Sequence, residues 1–171
     1  AVVVIYLMLS ATFQSFRVSW VILSTVPFVI VGALVALNLT GSTLNLQSYM
    51  GMIMSVGVSI ANAVLLISNA ETIRKSSNDA LGAAIEAAKL RIRPIVMTTL
   101  AMVAGMLPMA IGFGEGGDQV SPLGRAVIGG LIFSTFSVLI VLPLVFGWVQ
   151  KKASIVSNSL HPEDEESIHF V

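Results

Sequence analysis

The sequence predicts an all-α membrane protein, a bundle of about five transmembrane helices with one short amphipathic helix on the membrane surface. Three observations carry this. Of 171 residues, 56% are hydrophobic and 11% charged, with a mean hydropathy of +0.92, whereas a soluble domain carries about 25% charged residues. Residues 18–70, 94–114 and 126–150 contain no Asp, Glu, Lys or Arg. An apolar, charge-free run of about 20 residues spans a bilayer as a helix, and a soluble core helix of that length keeps a wet face.

The elements follow in order. Residues 1–13 (AVVVIYLMLSATF) have no initiator Met, no basic leader and no small-residue cleavage site. They read as a span without its first turns, and the chain as a piece of a larger protein. After a tight turn (QSFR), residues 19–39 form the second span, kinked at Pro27 in a way that neighbouring helices accommodate. The polar joint NLTGSTLN, broken by Gly41, leads to the third span at 46–69. The fourth occupies 94–113 and the fifth 122–149, separated by the Gly-rich, acidic FGEGGDQVS. Ser121 and Pro122 suit an N-cap and first helical position. Residues 1–152 thus make the transmembrane domain, and 153–171 an acidic tail.

Between the third and fourth spans, ETIRKSSNDALGAAIEAAKLRIR reads as a helix over 76–91. Ser76 and Asp79 have capping-box spacing, and Leu81, Ala84, Ile85 and Ala88 share one face, with Asp79, Glu86 and Lys89 elsewhere. This pattern fits a helix lying on the membrane surface; a plain solvated linker helix is the alternative. Threading five spans puts Arg17, Arg74, Lys75, Lys89, Arg91, Arg93, Lys151 and Lys152 on one side, with Arg125, Glu115 and Asp118 opposite. The basic side is expected to be cytoplasmic. The tail, ending SLHPEDEESIHFV, is then a disordered cytoplasmic end.

Little here supports catalysis. There is no cysteine, and the histidines, His161 and His169, stand in the tail without metal-ligand partners in the spans,. No carboxylate lies inside a span, which excludes an intramembrane aspartyl dyad, and no phosphate-loop lysine pattern occurs. No enzyme activity, metal or cofactor is expected, and a formal net charge of zero argues against nucleic acid,.

The candidate functional residues are neutral. At about 100° per residue, Ser48, Gly51, Ser55, Ser59, Asn62 and Asn69 of the third span share a stripe roughly 80° wide. Such a stripe faces protein or water rather than lipid. The fourth span has a second seam: Arg91, Pro94, Thr98, Ala101, Gly105, Pro108 and Gly112. Close packing is one meaning of these seams; an ion or proton route between them is the other. Gly129 and Gly130 in the fifth span, with Ala126, read as packing. The eight methionines read as adaptable filler.

The run EAAKLRIRPIVMTTLAMVAGMLPMAIGFGEGG, followed by PLGRAVIGGLIFSTFSVLIVLPLVF, resembles the C-terminal membrane half of resistance-nodulation-division (RND) efflux permeases. The residues that carry the likeness are Arg91, Arg93, Pro94, Met97, Thr98, Gly105, Pro108, Gly129 and Gly130; GVSIANAVLLISN resembles the family's third-from-last span. The resemblance implies spans eight to twelve of a homotrimeric, proton-driven exporter in the bacterial inner membrane. It would act with its own N-terminal spans and periplasmic domains, a periplasmic adaptor, an outer-membrane channel and membrane lipid. It also implies a coupling role for Asn62 and Thr98 and a juxtamembrane motif of Arg91, Arg93 and Pro94, while the seams themselves give packing roles to Ser55, Ser59, Gly105, Pro108, Gly129 and Gly130. One departure stands out. Many drug-efflux relatives carry a lysine before this Asn, paired with aspartates of the fourth span; here the position is Ala61. A relative moving lipids or assisting protein secretion, and a non-transporting scaffold subunit, are the alternatives.

Overall fold

The computed structural model describes residues 2–13, 16–77, 79–114 and 116–150, and every regular element among them is helical. Glu115 and the tail fall outside the described residues. Helix α1 covers Val2–Phe13. The next span is two helices, α2 (Phe16–Leu23) and α3 (Val26–Leu39). Pro27 lies in the first turn of α3, so the expected kink falls just before it. There the Ser24 hydroxyl donates to the Val21 carbonyl at 2.6 Å, satisfying a group that the break would leave bare,, and the Thr25 hydroxyl and N–H both donate to the Ile22 carbonyl, at 2.8 and 3.2 Å.

Helix α4 runs over Leu46–Ser77. Its start is a reciprocal cap: Asn45 Oδ1 accepts from the Ser48 N–H, and the Asn45 N–H donates to Ser48 Oγ, both at 2.9 Å,. Ser48 is therefore a capping residue as well as a member of the polar stripe.

The surface helix expected over 76–91 is not a separate element. It forms the first part of α5, Ala80–Ile111, which continues through Pro94 into the fourth span. The reason is its small-residue face: Ala83, Ala84, Ala87 and Ala88 are buried as α5 packs on α4 and α7. Asp79 rather than Ser76 provides the cap, its Oδ1 accepting from the Leu81 N–H at 3.1 Å. Ser76 sits in the last turn of α4 and donates to Ile73 O. At about 1.5 Å per residue, the 32 residues of α4 and of α5 outreach a hydrocarbon core of about 30 Å. Both helices therefore project beyond it at the basic end.

Gly112 ends α5 in the left-handed region (φ 80°), and Gly117 packs directly on the Gly112 backbone, where no Cβ would fit. That contact starts α6 (Gly117–Phe136) earlier than expected. Ser121 is not its N-cap, and Pro122 lies inside it. The helix passes through a π turn at Ser137–Val141 into α7, Leu142–Gln150. Pro143, at the second position of α7, cannot donate to the Leu139 carbonyl, which is a local cause for the altered ladder.

Four helical runs among the described residues are long and apolar enough to cross a membrane: Phe16–Leu39, Leu46–Ser76, Leu81–Ile111 and Gly117–Val149. Helix α1, at 12 described residues, is shorter and packs chiefly on α2. The centre is α6, packed on α3, α4 and α5. A Cβ on Gly129 would collide with Ala36 and Gly32 of α3, and one on Gly130 with Ser55 of α4. A Cβ on Gly124 would stand 2.8 Å from the Ala110 nitrogen of α5. Gly51 of α4 returns the contact, its Cβ position lying 2.7 Å from Leu123 O.

Gly105 differs. Nothing lies within 4 Å of its Cβ position, and both it and Pro108 are exposed, so the packing expected for this pair is absent among the described residues. Helix α5 meets α6 through Thr99 and Ala110, which lie across the helix from Gly105. In the lipid-reconstituted chain, Gly130→Leu should lower stability by about 1–3 kcal/mol through overpacking. Gly105→Leu should stay within about 0.5 kcal/mol of the parent. Reversible unfolding in mixed micelles measures both.

Candidate functional site

The α4 stripe faces inward over most of its length. Ser48, Gly51, Ser55 and Ser59 are buried, while Asn62 and Asn69 are half-buried and Ala61 is exposed. Ser55 Oγ donates to Met52 O at 2.9 Å. The partner of this stripe is α6, through Gly51 against Leu123 and Ala126 and Ser55 against Gly130. The structure thus sets Ser55 against Gly130, with Ser59 buried one turn on and Gly129 packed on α3, and the stripe does not meet the α5 seam as expected from sequence.

That seam turns outward. Pro94, Thr98, Ala101, Gly105 and Pro108 are all exposed. Only 11% of the most apolar stretch of this span is buried, against 44–50% in the other three. Thr98 Oγ1 donates to its own helix at Pro94 O, 2.9 Å away. Asn62 and Thr98 share no hydrogen bond. At the basic end, Arg91 is half-buried and Arg93 exposed. Nearby, Arg74 Nε bonds Glu71 Oε2 at 3.2 Å across one turn of α4.

Two polar contacts escaped the sequence reading. Thr99 and Thr135 exchange a hydrogen bond at 2.8 Å between α5 and α6. The adjacent threonines at 98 and 99 held the signal, because consecutive helical positions point about 100° apart. Arg125, read only as the lone cation on its side, ties three elements. Its Nε donates to Ala110 O at 2.9 Å and its Nη1 to Ser42 Oγ at 2.6 Å, linking α6 to the end of α5 and to the α3–α4 joint. Among the described residues no group of His, Cys, Asp and Glu could hold a metal ion.

These features define a polytopic membrane segment with a glycine-packed core and one uncovered helix face. Residues 1–150 match the family model described as the AcrB/AcrD/AcrF family, and the chain belongs to that family of RND permeases. It is 40% identical over 151 residues to the swarming motility protein SwrC of Bacillus subtilis (strain 168), covering 85% of this chain and 14% of SwrC. It is 36% identical over 152 residues to the multidrug resistance protein MdtC of Erwinia tasmaniensis, covering 88% of this chain and 15% of that protein. The crystal structure of a heavy metal efflux pump (crystal form II) superposes with a TM-score of 0.79 at 33% identity, covering 88% of this chain and 15% of the pump. The chain therefore spans about one seventh of the length of these relatives.

Thr99→Val should weaken the α5–α6 contact by about 0.6–2 kcal/mol, the range for one interhelical hydrogen bond in a membrane. A double-mutant cycle with Thr135→Val measures the coupling, and additive effects would show that the bond contributes nothing.

Proposed function

We propose that this segment is the C-terminal membrane part of an RND-type exporter in the bacterial inner membrane. In this reading it moves small toxic molecules by proton-driven antiport, as a transporter rather than an enzyme. Family membership supports the transport class. The observation that carries the coupling role is the uncovered α5 face with Thr98 on it, together with exposed Ala61 and half-buried Asn62 on α4. In lipid, small and polar groups at depth seek protein or water. We assign that cover to the remaining spans of the same transporter, which would bring the carboxylates this segment lacks. Asn62 and Thr98 then act by orienting those carboxylates or the water beside them, since neither neutral group changes charge itself. The basic end, with Arg17, Arg74, Lys75, Lys89, Arg91 and Arg93, faces the cytoplasm by the positive-inside rule. Periplasmic adaptor, outer-membrane channel and trimeric assembly belong to the same reading.

The test uses the intact parent. Asn62→Leu and Thr98→Val should reduce efflux several-fold while membrane abundance stays near the parent level. Ala61→Lys should be tolerated, because carboxylates from the other spans would pair with it. Normal efflux in both neutral variants would leave these residues with packing alone. Loss of the Ala61→Lys protein from the membrane would show that no carboxylate is within reach. A label at Lys75 that reacts only from the outside would reverse the orientation.

A further inference from the structure

Two buried hydroxyls in this bundle have no hydrogen-bond partner among the described residues: Ser59 Oγ of α4 and Ser137 Oγ at the head of the π turn. Both residues are at most 1% exposed. Leaving a buried hydroxyl unpaired costs on the order of 1–3 kcal/mol, and each such group in a native protein calls for an explanation. A helical serine usually has one at hand, the carbonyl a turn back. Ser55 uses Met52 O, Thr98 uses Pro94 O and Thr135 uses Leu131 O. Ser59 and Ser137 do not.

The packing sets the two on facing helices, about one turn apart along the axis. Ser55 meets Gly130, and α4 and α6 run in the same direction from there. Ser59 is one turn beyond Ser55, and Ser137 two turns beyond Gly130, with α4 packed on the π turn itself. The ladder there shifts from the i+4 to the i+5 spacing of a π turn, and such a bulge is a place where a water inserts. One turn past Ser59, half-buried Asn62 offers a polar way in from the helix surface. A dry apolar void would not fit a site edged by hydroxyls, whereas a water with two or more polar partners does.

We infer that a water molecule is bound between α4 and the π turn, bridging Ser59 Oγ and Ser137 Oγ. The site lies on the α6 side of α4, so it stands whether or not Asn62 and Thr98 serve coupling. It gives the packed core one wet point at membrane depth and holds the π turn to its neighbour through an exchangeable link.

Water-edited solid-state NMR on the lipid-reconstituted full chain reads this directly. Magnetisation should pass from water to the Ser59 and Ser137 Cβ sites several-fold faster than to Val127 and Leu131, which are equally buried. In Ser59→Ala, transfer to Ser137 should fall to the Val127 level while the backbone shifts of α4 and α6 stay in place. Transfer at the parent serines as slow as at Val127 would overturn the proposal, the hydroxyls then turning back to their own helices. Unchanged transfer to Ser137 in Ser59→Ala would overturn the bridge. Should that variant fail to fold, Ser59→Thr keeps the hydroxyl and should retain fast transfer at Ser137; slow transfer there would equally count against the bridge.

Discussion

The close approach of α6 to three neighbours is the constraint on which the rest of the bundle depends. Lipid tails are as apolar as leucine, so no hydrophobic gain drives one membrane helix onto another. What remains is dispersion between backbones that come near enough, and hydrogen bonds across the gap. Gly124, Gly129 and Gly130 point toward three different helices, so one glycine-rich stretch sets the positions of α5, α3 and α4 together. Each contact leaves no room for a Cβ, which makes the geometry close to all-or-none.

Polar links then fix what the glycines bring near. Thr99 with Thr135 ties α5 to α6 inside the bundle, and Arg125 ties their ends to the α3–α4 joint. Arg125 also shows how a cation is kept at a membrane boundary without a carboxylate bonded to it among the described residues. A carbonyl and a hydroxyl take its donors, and its half-burial leaves the guanidinium partly in contact with solvent or headgroups.

Much of this was legible in the sequence. Charge-free runs mark spans because a bilayer tolerates little else, and the break before Pro27 follows from the missing N–H. The Gly129–Gly130 pair was readable as packing because small neighbours on a span have few other uses. The orientation of the α5 seam was not readable. Pro94, Ala101, Gly105 and Pro108 suit a tight interface, yet nothing in their spacing says whether the partner belongs to this segment. The continuity of the 76–91 helix with the fourth span was hidden for a similar reason: a stripe of Leu81, Ala84 and Ala88 looks the same on a separate helix as at the start of α5 against α4 and α7. Ser121 misled because the Gly112–Gly117 contact, a backbone feature without side-chain signature, starts α6 earlier. The coupling role of Asn62 and Thr98 rests on family likeness and on what the open face can offer.

The two interruptions of the ladder have a mechanical side. The break at Ser24–Thr25 and the π turn at Ser137–Val141 lie in different spans, yet Val21, Ile22 and Val26 share one core cluster with Val138 and Leu142. Gly32 of α3 packs on Gly129 and Phe133 of α6, and the two spans run in opposite directions, so the soft points fall at about one depth, and α4 runs unbroken past it. A helix bends most easily where its ladder is interrupted, so the α2–α3 and α6–α7 spans share one compliant level. Forces applied at the basic end would tilt α2 and α7 as a small block against α4, which has no proline.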